Sequence, residues 1–151
     1  MDTNSLATEK VSVVGLVPPQ TITAMQFTAP INMSNFYQVL GIAELGAVNT
    51  GDAITFAAYA CDASGNNASI IVDAQGVQKE VVLAASASNP DSTIEIGIRA
   101  EDLTEQTYQH LKFGLSCGTT GGPAGVVALN LEPKYGPASK FAMTSDTIQN
   151  G

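Results

Sequence analysis

The sequence has few charged residues and few of the side chains that most often carry chemistry. Lys, Arg, Asp and Glu make up 13% of its 151 residues, with six basic against fourteen acidic side chains and a net charge of −8. It contains no Trp, one His and two Cys. Nucleic-acid binding requires clusters of Lys and Arg that neutralise phosphates. Because no such cluster occurs, the sequence argues against a nucleic-acid partner.

Long hydrophobic runs are missing as well. The longest apolar segments are well short of the eighteen or more residues that a membrane-spanning helix requires, and residues 1–10 lack the apolar core of a signal peptide. We therefore expect synthesis in the cytoplasm and no membrane partner. Hydrophobic residues still reach 44% of the chain, which at this length is enough to form the core of one domain.

The rare reactive side chains are scattered along the sequence. His110 is the single imidazole, so a His-dependent triad or a histidine metal site has no second candidate. Cys61 and Cys117 show neither CxxC spacing nor neighbouring His, which leaves two buried thiols or a disulfide between neighbouring strands. The GxSxG and HExxH motifs are absent. We therefore expect no enzymatic activity, no cofactor and no catalytic or metal-binding residues.

The dominant pattern is an alternation of apolar and polar residues, which is typical of strands with one face in a core. In 92–99, for example, Ile94, Ile96 and Ile98 alternate with polar residues or Gly. Four segments show the pattern clearly: 53–61, 92–99, 108–117 and 125–132. In the last of them we expect Val127, Leu129 and Leu131 to point into the core. Weaker strand signals cover 11–17, 21–28, 36–45, 69–73 and 77–84.

Two of the remaining segments need a specific interpretation. Segment 36–45 has apolar residues on both faces, which predicts a central strand covered on both sides. Segment 100–106 has acidic residues near its start and predicts a short helix or a single helical turn between two strands.

Eight or nine short strands separated by turns predict an all-β fold. We expect an antiparallel β-sandwich with jelly-roll or Greek-key connections. A purely parallel sheet is excluded because the crossover helices that it needs are missing. The predicted organisation is an extended N-terminal arm at 1–10, a sandwich domain at 11–132 and an extended C-terminal arm at 133–151.

Two Gly-containing loops have a superficial likeness to ligand sites. Gly118–Gly125 lacks the Lys and the following helix of a phosphate-binding loop, so we interpret it as a hairpin loop. Asp62–Asn67 places oxygen-bearing side chains around a Gly but lacks the twelfth-position Glu and the helices of an EF-hand. A hairpin turn is the favoured interpretation of this loop, and weak calcium binding is the alternative.

An ordered set of segments resembles a family of small proteins encoded among the head genes of tailed bacteriophages. The segments that carry the resemblance are Asn35–Leu40, Asp62–Ala68, Ile94–Leu103 and Pro133–Ser139. None of them is a catalytic signature. The chain departs from the family pattern in its two Cys and its few charges.

The resemblance implies a structural virion protein, a capsid decoration or cement protein that binds the outside of the major capsid shell. Its partners would be the major capsid protein and neighbouring copies of itself, as a homo-dimer or homo-trimer. It would be synthesised in the host cytoplasm and located on the capsid surface of the virion. We expect the contacts in residues 1–20 and near the C-terminus. The predicted contact residues are Val17, Pro18, Pro19, Tyr135, Pro137 and Phe141.

Two other functions stay open at this point. A glycan-binding β-sandwich module for adhesion would need exposed aromatic rings on one surface, for which Tyr37, Tyr59 and Tyr108 are the candidates. A head–tail joining protein or a tail tube subunit would instead form rings.

Overall fold

Short β-strands make up most of the part of the chain that the structure describes. The structure is a computed structural model, and it describes residues 11–48, 51–84, 92–104 and 106–131. The strands in these ranges are β1 Val11–Ile22, β2 Gln26–Phe27, β3 Ile31–Asn32, β4 Gln38–Leu45, β5 Ala53–Cys61, β6 Ser69–Ile70, β7 Glu80–Ala84, β8 Thr93–Arg99, β9 His110–Ser116 and β10 Gly122–Leu131. Two 3₁₀ turns, Met33–Asn35 and Ala100–Leu103, complete the elements.

The strands form two antiparallel sheets. In the first sheet the order is β1-β10-β4-β8. In the second sheet β9 and β5 are central neighbours, with β2 and β3 beside β9, and β6 and β7 beside β5. The predicted all-β class with antiparallel sheets is confirmed. The chain crosses between the sheets after β1, β3, β4, β7, β8 and β9.

The hydrophobic core lies between the two sheets. In β8 the alternation of the sequence correctly predicts which side chains enter it. Ile94, Ile96 and Ile98 of β8 are buried, whereas the residues between them are exposed. In 125–132 the prediction is wrong: Val126 and Ala128 are buried in the core, and Val127, Leu129 and Leu131 lie on the opposite side of the strand.

In the second sheet the rings of Phe56 and Phe113 stack with their centroids 5.7 Å apart, both fully buried. The strand with apolar residues on both faces, β4, has a neighbour on each side in its sheet, as predicted. The expected cover on both faces is not seen among the described residues, because Leu40 and Ile42 on its outer side are half-buried.

Across the core, a glycine of β4 faces an aromatic ring of β9. A Cβ atom added to Gly41 would lie 2.6 and 2.7 Å from the Cδ1 and Cζ atoms of Phe113. Real Cβ atoms do not approach other atoms so closely, because protein interiors are packed to contact distance. Gly41 therefore provides the space that Phe113 occupies.

The loop after β9 corrects one prediction. Gly118–Gly125 is not a hairpin loop, because β9 belongs to the second sheet and β10 to the first. The loop crosses between the sheets and β10 begins within it, at Gly122. Gly121 has φ +77°, and a Cβ there would meet the carbonyl oxygen of Ile22. By contrast, the predicted single helical turn in 100–106 is confirmed as the 3₁₀ turn.

Both cysteines are buried free thiols. Cys61 pairs with His110 at the start of β9, and Cys117 follows the end of the same strand. Seven residues of extended chain separate the two positions by roughly 20 Å. A disulfide requires Cα atoms within about 7 Å, so the two cannot be joined within this fold. Burial raises the pKa of both thiols.

Within the described residues, β1 begins at Val11 and β10 ends at Leu131. The predicted arms at 1–10 and 133–151 lie outside the described residues.

Candidate interaction surface

The first sheet carries apolar side chains on the face turned away from the core. In β10, Val126 and Ala128 are buried in the core. Because successive residues of a strand point to opposite faces, Val127 and Leu129 lie on the other side. We call that side the outer face. It is formed by Val13, Leu16, Leu40, Ile42, Val127, Leu129 and Leu131, all half-buried.

The strand registers place these side chains next to one another across three strands. Two rows cross the sheet: Leu16, Val127 and Ile42 form one, and Val13, Leu129 and Leu40 form the next. Neighbouring strands lie about 5 Å apart, so the side chains of a row touch. The outer face of an antiparallel sheet is usually polar where it meets water. An apolar outer face is therefore a candidate for contact with another protein.

A depression lies at the end of the outer face where the edge strand β1 bulges. The pairing of β1 with β10 is interrupted between Val17 and Gln20, and the prolines in this gap need not donate to the ladder. The cavity has a volume of about 250 Å³. We call it the proline depression. It is lined by Leu16, Val17, Pro19, Pro123, Gly125 and Val127, among others.

Glycine shapes the proline depression. A Cβ atom on Gly125 would lie 3.0 Å from the carbonyl oxygen of Val17 and 3.3 Å from the Cα of Pro19. A side chain at this position would therefore crowd β1 and fill the space. The depression has rigid walls, since both Pro19 and Pro123 have fixed ring geometry.

The six predicted contact residues divide into three groups. Val17 is 3% exposed and packs in the core, whereas Pro18 and Pro19 are exposed at the bulge. Tyr135, Pro137 and Phe141 lie outside the described residues. The sequence analysis missed Pro123, Gly125 and the outer face. The sequence feature that could have indicated the outer face is the presence of apolar residues on both faces of β4 and β10. Only the strand register shows that the outward side chains of these strands are neighbours.

The second sheet presents a smaller aromatic patch. Phe27 is 41% exposed and meets Tyr59 edge-on, with ring centroids 5.5 Å apart. Lys112 Nζ lies 3.8 Å from the centroid of the Phe27 ring and donates to the carbonyl oxygen of Gly65 at 2.8 Å. Burial and the nearby Glu80 raise the pKa of Tyr59. The ammonium group of Lys112 and the rings of Phe27 and Tyr59 therefore form one cation–π and aromatic cluster on this surface.

The other candidate tyrosines do not extend this patch into one platform. Tyr37 is exposed but precedes β4 of the first sheet, whereas Tyr59 is in β5 of the second. Tyr108 is half-buried in the segment before β9.

A polar cleft lies beside the edge strand β8. It has a volume of about 660 Å³ and contains Lys79 and Arg99, two of the three basic residues in the described ranges. Lys79 Nζ lies 3.5 Å from an oxygen of Asp73, and an Arg99 guanidinium nitrogen 3.3 Å from Glu101. Asp102 accepts a hydrogen bond from the backbone N–H of Arg99. The charges of this cleft are therefore already paired within the chain.

The Asp62–Asn67 loop is a turn organised by its first carboxylate. Asp62 Oδ1 accepts from the backbone N–H groups of Ser64 and Asn66, both at 2.9 Å, and Oδ2 accepts from the Asn67 side chain at 3.0 Å. These hydrogen bonds, led by that from Asn66, lower the pKa of Asp62. The loop joins β5 to β6, which pair antiparallel, so the predicted hairpin turn is confirmed.

The described residues contain little that would support chemistry. His110 is half-buried opposite Cys61 at the start of β9. Across ranges 11–48, 51–84, 92–104 and 106–131, no three His, Cys, Asp or Glu side chains are grouped to hold a metal ion. None of the helical turns in the same ranges is long and apolar enough to cross a bilayer.

Comparison with known proteins gives weak structural likenesses. No family model and no curated protein matches the sequence. One similar solved structure comes from work on the disulfide-linked pili of Bacillus endospore appendages; it is 12% identical, covers 87% of this chain and 98% of that chain, and has a TM-score of 0.44. Another, from work on CBM4 structure and function, is 12% identical, covers 82% and 71%, and has a TM-score of 0.38. At these scores neither likeness bears on function.

Proposed function

We propose that this protein is a structural virion protein, a bacteriophage capsid decoration protein that binds the outside of the major capsid shell and stabilises it. The observation that carries the proposal is the proline depression, which adjoins an apolar outer face in a chain with few charges. A protein that acts by contact needs such a surface, whereas an enzyme needs a cluster of reactive groups.

The geometry of the proline depression suits it to receive an apolar side chain of the shell. Its walls include Pro19 and Pro123, whose rings lose little conformational freedom on binding. It also lies on β1, the strand that directly follows the predicted N-terminal arm in sequence.

Repeated copies would make a modest contact effective. A symmetric shell offers many equivalent sites, and linked contacts raise the apparent affinity well above that of one site. The net charge of −8 keeps a protein of high copy number soluble and repels DNA.

We also propose jelly-roll connections for the sandwich. In the second sheet, β2 and β3 both lie beside β9, and β6 and β7 both lie beside β5. When each of these pairs is counted as one strand, both sheets have four strands. Strands that follow each other in sequence then mostly lie in opposite sheets. Two interlocked Greek keys produce this kind of order. The jelly roll is an architecture that viral capsid and lectin domains use.

The decisive experiment measures binding to undecorated shells of the phage that encodes the chain. Pro19→Glu adds a second carboxylate to the proline depression, whose lining already includes Glu44, without removing a ladder hydrogen bond. The matched control is Val82→Glu on β7 of the second sheet, where Val82 is 57% exposed. In co-sedimentation with shells, we expect the wild type and Val82→Glu to bind alike and Pro19→Glu to bind at least about tenfold more weakly. Equal binding by all three would reject this contact, and failure of the wild type to bind would reject the function.

A glycan-binding adhesion module is the second candidate, favoured by the exposed Phe27 beside Tyr59 and Lys112. If it is correct, oligosaccharides will give a signal on a glycan array, and Phe27→Ala will abolish it. A head–tail joining or tail tube protein is distinguished by rings in electron micrographs of the purified protein.

A further inference from the structure

We propose that two copies of this chain pack face to face through the outer faces of their first sheets. The twofold axis crosses the strands at the level of Gly97 in β8. This inference names a partner and a geometry, and it holds whether or not the chain decorates a shell.

The outward side of β8 is self-complementary in charge. Ile94, Ile96 and Ile98 point to the core, so Glu95, Gly97 and Arg99 point outward and are exposed. Glu95 and Arg99 each lie two residues from Gly97, which is roughly 7 Å along a strand. A twofold rotation about Gly97 reverses the strand direction. It therefore brings Glu95 of each copy opposite Arg99 of the other.

Gly97 is suited to lie on the axis. A Cβ atom added there would have no atom within 4 Å, so the glycine is not needed for packing within the chain. A glycine in a strand weakens that strand and often marks a close approach of another backbone. At the axis, the absence of a side chain allows the two β8 strands to come near each other.

The same axis places apolar residues of the two copies against each other. Gly97 pairs with Leu40, Leu40 with Leu129, and Leu129 with Val13, so the axis runs along this row of the outer face. Leu40 and Leu129 each meet their own counterparts. The rows next to the axis row also meet across the two copies. The row of Leu16, Val127 and Ile42 in one copy faces the row of the other copy that begins with Val11 and Leu131.

The charges favour a second copy over an unrelated partner. A surface of one sign would need a partner of the opposite sign, whereas this edge carries both signs at mirrored positions. The pair that Arg99 forms with Glu101 is about 70% exposed on both sides, and ion pairs in that setting contribute little. Arg99 is therefore available to exchange partners when a second copy approaches. Aligned sheet packing at about 10 Å accommodates side chains of this size between two faces.

A charge-swap series on the full chain tests the dimer by analytical ultracentrifugation, up to about 0.5 mM so that weak association is detected. We expect a wild-type dimer. In Arg99→Glu, two acidic side chains face each other at both symmetric contacts across the axis, and in Glu95→Arg two basic side chains do so. Each single variant should weaken dimerisation at least about tenfold. The double variant Glu95→Arg with Arg99→Glu restores both pairs and should restore the dimer.

Two further variants make the result specific to this face. Leu129→Glu places two like charges at the axis and should give a monomer, with circular dichroism to confirm that it is folded. Val82→Glu at an exposed position of the second sheet changes the net charge by the same amount as Leu129→Glu and should dimerise like the wild type. A monomeric or trimeric wild type overturns the proposal, as do unaffected single variants or a double variant that stays monomeric. The experiment uses the purified chain without capsid shells, so its outcome is independent of whether the chain binds a capsid.

Discussion

The contact between Gly41 and Phe113 gives a quantitative test of how the two sheets pack. Gly41→Ala adds one methyl group at a position where the ring of Phe113 already stands, with ring carbons 2.6 and 2.7 Å from the new atom. Phe113 cannot turn away freely, because it is fully buried and stacks on Phe56. The methyl group therefore forces the sheets apart or moves the ring out of its preferred rotamer.

Two effects of opposite sign determine the magnitude. Replacing Gly by Ala within a strand gains roughly 0.5–1 kcal/mol, since Ala has less conformational freedom to lose. Overpacking a well-filled core costs about 1–3 kcal/mol. We expect a net loss of roughly 1–2 kcal/mol in the free energy of unfolding for Gly41→Ala. The control Gly97→Ala has the same chemistry on the outward side of a neighbouring strand, with nothing within 4 Å, and should keep or raise the stability.

Urea unfolding at low micromolar concentration measures both variants, and a double-mutant cycle identifies the cause. Phe113→Leu alone leaves a cavity and costs on the order of 1–2 kcal/mol. Combined with Gly41→Ala it makes room for the methyl group, so the double variant should lose less than the sum of the two single losses. If Gly41→Ala is as stable as the wild type, or if the two losses simply add, the argument that this contact sets the sheet spacing is wrong.

The remaining predictions concern the thiols and an acidic turn. Cys61 and Cys117 should react slowly with a thiol reagent in the native protein and fully in urea, because both are buried with raised pKa; one fast thiol in the native state would contradict this. Hydrogen bonds led by that from the Val77 N–H lower the pKa of Asp73. Their stabilisation is therefore complete above the unfolded carboxyl pKa of about 4 and is lost as the pH falls through the lowered native value. Asp73→Asn should be less stable than the wild type at neutral pH, and thermal unfolding should show the difference vanishing in acid; a constant difference would refute the assignment.

The sequence analysis succeeded for β4, β8 and the turn after β8, where a local pattern determines the structure. The same kind of pattern assigned the wrong core side to β10, because that strand has apolar residues on both faces. The alternation of Ile94, Ile96 and Ile98 predicts strand β8 and its buried side, because side-chain direction follows from strand geometry alone. The apolar residues on both faces of 36–45 predict the central position of β4 for a similar reason. The acidic start of 100–106 predicts a helical turn between strands, and the structure has one at Ala100–Leu103.

It failed where the structure depends on residues far apart in sequence. Gly and Pro in 118–125 indicate a turn, but turn composition does not determine which sheet the next strand joins, and the hairpin prediction was wrong. The two-residue strand β3 is too short to show any alternation. The proline depression arises because a bulge in β1 meets Gly125 and Pro123 of β10, more than a hundred residues later. Only the register brings these residues together.

The edges of the first sheet explain why its outer face is the surface available for association. An unpaired edge strand offers N–H and C=O groups on which another chain can add a strand, and natural sheets obstruct their edges with proline, bulges and charge. The edge strand β1 has Pro18 and Pro19 in its bulge, so two donors are missing there. The opposite edge, β8, carries Glu95 and Arg99 on its exposed side. Among the described residues, strand addition is therefore disfavoured at both edges of the sheet, and a partner that lies flat on the face is suited to bury the apolar surface between them.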